Sequence, residues 1–324
     1  MHSPEFFRDL IDRELKALDF PDHPSELYDP IRYMLSLGGK RLRPCLVLMA
    51  NELFGADHRH VIKPAIAIEV FHNFTLLHDD IMDRAELRRS KPTVHTRWNQ
   101  DIAILSGDTM FVKSCQLMMS VDRNYQDKVM SLFLRTAAEV CEGQQIDMNF
   151  ENRSNVTIPE YIEMITLKTA VLLACSLQTG ALLAGASQED ADRIYDVGKH
   201  LGVAFQLHDD ILDLYAETGK FGKTIGGDII ANKKTILLLL AVEKAGDDLR
   251  DELNTLINAT SMDPEKKIYA IRDIFEKLEI RKEACRYMDS HFSKAMKVFG
   301  EIKVEPLRKE PLTDLAERLM VRES

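Results

Sequence analysis

No proline occurs between Pro92 and Pro159, and none between Pro159 and Pro264. A proline in a helix interior removes a hydrogen bond and costs about 3 kcal/mol, so two such long proline-free blocks suit consecutive helices. Start signals agree. Thr157-Ile-Pro-Glu160 and Ser187-Gln-Glu-Asp190 each place a hydroxyl cap three residues ahead of a carboxylate. Ile162, Ile165 and Leu172, like Ile194, Val197, Leu201 and Phe205, recur at helical spacings. There is no sustained alternation of polar and apolar residues and no Asn-Gly or Asp-Gly turn, so strands have little support. The expectation is an all-α chain, a large helical bundle. Loops are expected at Pro21 to Pro24, Ala56 to Arg59, Arg84 to Pro92, Asn149 to Thr157, Thr218 to Gly227 and Asn258 to Pro264. None resembles a flexible interdomain linker, so residues 1–324 are expected to form one domain, looser from about Asp247 onward.

Composition narrows the class. With 324 residues, 45% of them hydrophobic, the chain has ample material for a buried core. A net charge of −10 argues against a protein built to grip nucleic acid, which needs an excess of Lys and Arg on one face. The five cysteines are widely spaced and never form C-x-x-C, which suits thiols in a reducing compartment. Charged residues interrupt the first twenty positions, so no signal peptide is expected, and the location is expected to be cytoplasmic. The stretch from Thr169 to Gln188 carries no charge and approaches the length of a membrane span. Ser176, Gln178, Thr179 and Gly180 interrupt it, so it is expected to be a buried helix and not a membrane span.

The chemistry begins with a near-duplicate. Leu77-His-Asp-Asp-Ile-Met-Asp83 and Leu207-His-Asp-Asp-Ile-Leu-Asp213 differ only at Met82 against Leu212. On a helix, residues i and i+4 share a face, so Asp79 projects beside Asp83, and Asp209 beside Asp213. Carboxylates stacked in this way repel unless a cation lies between them. A single copy would read as a solvated acidic turn, but two copies behind apolar helix faces suggest a built site. Hard oxygen donors without nearby cysteine suit Mg2+, which shares its shell readily with phosphate. His72 stands two turns before Asp79 and Gln206 one turn before Asp210, extending each face.

Cations gather near the same segments. Gly38-Gly-Lys-Arg-Leu-Arg-Pro44 sets three cations beside two glycines, where backbone can also approach an anion closely. Arg88 and Arg89 follow the first acidic motif, and Lys220, Lys223, Lys233 and Lys234 follow the second. Arginine suits bidentate phosphate contacts, while lysine supplies a mobile point charge. The pattern suggests two anion sites, one bridged by metal and one held by cations alone.

Together, Gly38 to Pro44, His78-Asp-Asp-Ile-Met-Asp83 with Arg88-Arg89 and Pro92-Thr-Val-His95, Gly107-Asp108, Gly143-Gln144, Lys168-Thr169, Phe205 to Asp213 and Gly222-Lys-Thr-Ile-Gly-Gly-Asp228 resemble the trans-isoprenyl diphosphate synthases. The resemblance runs from Gly38 to Thr235 in the family's order. It implies an all-helical isoprenoid synthase fold around a deep cavity, the acidic motifs facing each other at its mouth, and a homodimer. The implied reaction elongates an allylic prenyl diphosphate with isopentenyl diphosphate, using Mg2+. Asp79, Asp83 and Asp209 would hold the metal on the allylic diphosphate, supported by Asp80, Asp210 and Asp213. Arg88, Lys168, Lys223 and Lys233 would contact that diphosphate, and Thr169 and Gln206 would place dipoles near the allylic cation. Gly39, Lys40, Arg43, His72 and Arg89 would hold isopentenyl diphosphate, with Arg322 in a tail that closes over the site. Ser90, where Gly is common, Ile236, where Tyr is common, and the short tail Arg322-Glu-Ser324 depart from the family's pattern.

Other readings fit less well. A terpene cyclase shares the first motif, but its second mixes Asn, Ser and Glu, and it needs no isopentenyl site. A His-Asp metal phosphohydrolase would use the doublets His78-Asp79 and His208-Asp209, without trailing aspartates. A non-catalytic partner subunit would be expected to have lost some carboxylates. For product length, the family's floor residue is the fifth before the first motif, here Phe74, followed by the small Thr75. That pair resembles a synthase making a twenty-carbon product, geranylgeranyl diphosphate, with farnesyl or long-chain polyprenyl diphosphate as the alternatives. At about 100° per residue, however, Thr75 lies closer than Phe74 to the Asp79 face. If Phe74 is not the floor, Cys115, Met118 or Met119 is the next place to look.

Overall fold

The structure, a computed structural model, describes residues 1–216, 226–259 and 262–321. The described residues form α-helices almost throughout. They are α1 (Pro4–Lys16), α2 (Ser25–Ser36), α3 (Leu42–Leu53), α4 (Ile62–Met82), α5 (Val94–Arg97), α6 (Gln100–Met118), α7 (Arg123–Glu151), α8 (Ile158–Ile165), α9 (Val171–Leu183), α10 (Gln188–Tyr215), α11 (Gly227–Ile230), α12 (Ile236–Lys244), α13 (Asp247–Asn258), α14 (Pro264–Lys277), α15 (Ile280–Glu301) and α16 (Pro306–Met320). A 3-10 turn, His58–Val61, leads into α4, and a π-helical turn, Thr166–Ala170, joins α8 to α9.

The caps read from sequence do form. The Thr157 hydroxyl accepts from the Glu160 N–H while the Glu160 carboxylate accepts from the Thr157 N–H, a full capping box at α8. Ser187 caps α10, accepting from the Asp190 N–H at 3.1 Å. The chain is all-α as expected, save that the loop expected from Arg84 to Pro92 holds a short antiparallel hairpin of β1 (Leu87–Arg88) and β2 (Lys91–Pro92). Its two-residue turn, Arg89 and Ser90, takes φ of 53° and 62°. Left-handed conformation at both central residues is the I′ pattern normally written with Asn and Gly. Here Arg and Ser occupy it, so the usual turn signature was absent.

The chain divides into two compact units, one comprising Met1–Arg135, Cys175–Tyr195 and Ile302–Leu315, the other Thr136–Ala174, Asp196–Glu301 and the described residues from Ala316. In the first, α4 packs along α6 and α3, and Val47, Leu48, Met49, Ile68, Phe71 and Phe133 are fully buried. In the second, Tyr161, Leu207, Ile211, Leu240, Ile271 and Phe275 belong to one hydrophobic cluster. The continuous helical stretch Ile158–Leu183 is long and apolar enough to cross a membrane, but 78% of its most apolar window is buried within the protein. It is core, for the reason its small and polar residues suggested.

Candidate active site

Both acidic motifs occupy helix ends. Asp79 and Asp80 lie in the last turn of α4, and Asp83 is its C-cap, its N–H donating to the Asp79 carbonyl at 2.8 Å. The helix stops through a Schellman motif. Arg84 takes φ of 51°, its N–H donates to the Ile81 carbonyl at 3.2 Å, and the Ala85 N–H donates to the Asp80 carbonyl at 2.9 Å. The second motif lies in the last two turns of α10. The C-terminal end of a helix is the negative end of its dipole, and each carboxylate there is disfavoured by roughly 0.3–1 kcal/mol unless neutralised. Clustered carboxylates at this end, without sulfur donors, fit a hard divalent cation.

The first motif divides its labour. Asp79 is half-buried and Asp83 exposed, whereas Asp80 is buried. Burial raises the Asp80 pKa, opposed by the Arg88 guanidinium, whose Nε lies 2.9 and 2.8 Å from the two carboxylate oxygens. Arg88 is 3.9 Å from Asp79. Asp80 therefore anchors Arg88, leaving Asp79 and Asp83 as the outward carboxylates.

Beside this lies the glycine-flanked cationic cluster. Gly38 and Gly39 take φ of 81° and 144°, values that favour glycine. The Arg89 guanidinium rests against Gly39, where a Cβ would lie 2.8 Å from it. The Arg89 side chain reaches solvent, yet partial burial and the nearby Arg41 and Arg88 lower its pKa. Among the described residues no carboxylate stands at ion-pair distance from Arg89. An arginine set against glycine with other cations nearby is suited to an incoming anion. Arg43 reaches His72, with Nη1 to Nε2 at 3.1 Å. Burial, with Arg43, Arg88, Arg89 and Arg41 around it, pushes the His72 pKa well down, so His72 is neutral and accepts from Arg43. Lys40 is exposed.

The structure adds two residues that sequence reasoning missed, Asp12 and Glu69. Arg41 is buried, donating to Asp12 at 2.9 Å, Glu69 at 2.6 Å and the Leu35 carbonyl at 3.0 Å. Of the three cations in Lys40-Arg-Leu-Arg43, the middle one is thus a structural pin. Asp12 and Glu69 carry no local motif that could have announced this.

The second unit holds the other residues. The π-helical turn carries Lys168 and Thr169, and such turns recur at functional sites. Gly143 makes room for it, since a Cβ there would collide with the Lys168 backbone. Lys168 Nζ lies 2.6 Å from Asp147, a partner one turn beyond Gly143 that sequence reasoning did not name. Thr169 Oγ1 donates to Gln206 Oε1 at 3.1 Å, and Gln206 Nε2 donates to Asp210 at 3.1 Å. Asp210 also accepts from the Tyr161 hydroxyl and, at 3.3 Å, from the Ile236 N–H. Burial, with Asp228 nearby, raises Asp210 to about 7. Asp210 is therefore an interior anchor like Asp80, while Asp209 is exposed and Asp213 half-buried. Asp213 accepts from the Asp228 N–H at 3.1 Å, and Lys233, exposed, donates its N–H to the Asp228 carbonyl at 2.9 Å. Tyr161 is a further missed contributor, distant in sequence. Lys220, Lys223 and Arg322 lie outside the described residues.

The two histidines of the His-Asp doublets are tied into packing. His78 Nε2 lies 3.2 Å from the Ile104 carbonyl, and His208 Nδ1 lies 3.1 Å from the Leu319 carbonyl near the end of α16. Both doublets thus use a histidine nitrogen on a backbone carbonyl, which speaks against a His-Asp phosphohydrolase. Phe74 packs against Phe71, His78 and Phe111, with ring centroids 5.6, 4.8 and 5.5 Å away. The Thr75 hydroxyl donates to the His72 carbonyl at 2.8 Å.

Comparison with known proteins agrees. Residues 24–274 match the model of the family described as polyprenyl synthetase. A geranylgeranyl diphosphate synthase of Methanosarcina mazei is 44% identical over 68% of this chain and 69% of its own length. A short chain isoprenyl diphosphate synthase of Methanothermobacter thermautotrophicus is 33% identical over 98% of this chain and 97% of its own. A crystal structure of a geranylgeranyl pyrophosphate synthase, 44% identical, superposes with a TM-score of 0.95 over 100% of both chains. The chain belongs to the polyprenyl synthetase family, the trans-isoprenyl diphosphate synthases, prenyltransferases that work with a divalent metal.

Proposed function

We propose that this chain condenses isopentenyl diphosphate head-to-tail with an allylic prenyl diphosphate, using Mg2+, and that its main product is geranylgeranyl diphosphate. The observation that supports the reading is that one unit carries two charged clusters of different character. One ends α4 in outward carboxylates. The other is the cationic cluster of Arg43 and Arg89 with Gly39 and His72. A metal-bridged diphosphate suits the first and a diphosphate held by cations alone suits the second.

Asp79, Asp83 and Asp209 would hold Mg2+, with Asp80, Asp210 and Asp213 supporting them. When bound, Mg2+ supplies the positive charge that stabilises pyrophosphate as it leaves. Arg88, Lys168 and Lys233 share that task from the protein side, as does Lys223, because their charge is worth most where negative charge grows in the transition state. Gly39, Lys40, Arg43, His72 and Arg89 orient isopentenyl diphosphate, with Arg322 as a further cation for it. Thr169 and Gln206 line the place where the allylic carbon becomes cationic. The bond from that carbon to oxygen breaks first, its electron pair leaving with pyrophosphate, and the isopentenyl double bond then attacks the cation. Pyrophosphate then takes the proton, so no nucleophilic side chain is required.

The geranylgeranyl reading is supported by Phe74 and by the relatives of that name. A homodimer is supported by α6 and its C-cap, where Leu105, Val112 and Met119 recur every seven residues and are 59%, 54% and 54% exposed, a stripe suited to a second copy. A cytoplasmic site suits the five free thiols. The test is incubation with Mg2+, isopentenyl diphosphate and allylic acceptors of five, ten and fifteen carbons, followed by product sizing. Twenty-carbon product from each acceptor is expected. Phosphate release without chain growth would sink the reading.

A further inference from the structure

Away from the acidic motifs, His2, Glu52 and His58 converge. The Nδ1 atoms of His2 and His58 lie 2.6 and 2.8 Å from the same oxygen, Glu52 Oε1. One ligand atom from each of the three residues fits within 4.8 Å of the others. The three come from separate segments: ahead of α1, the end of α3 and the 3-10 turn before α4. Aromatic rings fix the imidazoles. Phe6 stacks on His2 at 4.2 Å, and Phe7 meets the edges of His2 and His58 at 5.8 and 5.3 Å. Glu52 and His58 side chains are 11% and 12% exposed, while His2 is 48% exposed.

We propose that His2, Glu52 and His58 form a binding site for a borderline divalent ion, with Zn2+ the best match. Two imidazole nitrogens and one carboxylate oxygen are a zinc donor set, with a fourth position for water. The exposed side of His2 offers the way in. The all-carboxylate motifs select a harder ion, so the two kinds of site discriminate by chemistry. The His2 N–H donates to Glu52 Oε2 at 2.8 Å, which keeps Oε1 turned to the imidazoles. Such an outer hydrogen bond is the kind that orients a ligating carboxylate. Coordination through Nδ1 requires each ring to carry its proton on Nε2.

The site would act as a clasp. It joins the segment ahead of α1 to the end of α3, and α1 carries Asp12, which holds Arg41. Metal binding to the folded state alone stabilises it by mass action.

The test is calorimetric titration of the full chain, without a histidine tag, with Zn2+ in excess Mg2+, paired with thermal melting. The parent is expected to bind one equivalent and melt higher with Zn2+. His2→Ala and His58→Ala are each expected to weaken that equivalent at least tenfold, about 1.4 kcal/mol, and to lose the melting shift, with Mg2+-dependent turnover unchanged. His2→Ala removes a half-exposed ring and keeps the test valid if His58→Ala does not fold. Equal Zn2+ binding and melting shifts in parent and His2→Ala overturn the proposal, as does an equivalent that disappears in Asp79→Ala instead.

Discussion

His72 Nε2 lies 3.1 Å from an Nη nitrogen of Arg43, and burial, with the arginines around it, holds the histidine neutral. His72 therefore acts as an acceptor that aims Arg43. Removing the ring in His72→Ala is expected to raise KM for isopentenyl diphosphate about tenfold, as expected for a lost hydrogen bond to a charged group. The kcat at saturation should change little, the signature of lost uniform binding. Because the His72 pKa lies well below the usual value, the parent should show no histidine-dependent change in that KM between about pH 6 and 8. A step there that vanishes in His72→Ala would contradict the assignment.

Asp79, half-buried, and Asp209, exposed, head the two motifs, whereas Asp80 and Asp210 are buried anchors. Asp79→Ala or Asp209→Ala is expected to lower turnover by at least a hundred- to a thousandfold, roughly the effect of losing one electrostatic stabiliser, while the helical circular dichroism is kept. Chelation by EDTA should abolish turnover and added Mg2+ restore it. Near-normal turnover in either variant would remove the carboxylates from the chemistry.

These assignments show what sequence alone carries. Helical periodicity, caps and the duplicated motif are local patterns, and each is found where its residues predicted it. The division of labour within a motif is not local. Asp80 and Asp210 match Asp79 and Asp209 in type, and become anchors only because Arg88, and Tyr161 with the Ile236 N–H, meet them after folding. Arg41 looks like its neighbour Arg43 in sequence, yet Glu69 and Asp12, brought in by α4 and α1, make it interior. The hairpin at Arg89-Ser90 escaped because neither residue advertises a left-handed turn.

Arg41 and Glu69 side chains are 2% and 4% exposed. Burial alone would lower the Arg41 pKa, but the Glu69 and Asp12 carboxylates together outweigh it and the net direction is upward. Arg41→Met leaves Glu69 uncompensated and is expected to cost about 3–5 kcal/mol. Chemical denaturation would read this as a lower midpoint, and Arg41→Met with Glu69→Leu should recover much of it. A single variant as stable as the parent would show that the pair holds nothing.

His200 and His291 lie Nδ1 to Nδ1 at 3.2 Å, beside Lys199 and Lys294, with Asp196 the one opposing charge among the groups acting on them. Burial, then His200 and Lys294, lowers His291 to about 4. A base whose folded pKa is depressed contributes stability that is full above its unfolded pKa, near 6.5, and is lost as pH falls toward the folded value. The parent should therefore lose melting temperature between about pH 6.5 and 4.5, by an amount equivalent to roughly 1 kcal/mol after solvent screening. His291→Asn, which cannot charge, should lose less over that window. Identical slopes in thermal melts would show that the pair is uncoupled from folding.

Phe74 and Thr75 present opposite cases at adjacent positions. The Phe74 ring is enclosed by Phe71, His78 and Phe111, whereas the Thr75 hydroxyl is turned back to the His72 carbonyl. Periodicity favours Thr75 as the residue on the Asp79 face, but the aromatic cluster gives Phe74 the bulk and the fixed position that a floor needs. If a growing chain stops against that ring, Phe74→Ala opens space behind it and should shift product from twenty carbons to twenty-five or more. Thr75→Ala removes only an oxygen already bonded to backbone and should leave the distribution unchanged. Chromatographic sizing of prenyl products from both variants checks this. An unchanged distribution in Phe74→Ala would move the limit to α6, where Met118 is fully buried, and a shift in Thr75→Ala alone would reverse the assignment.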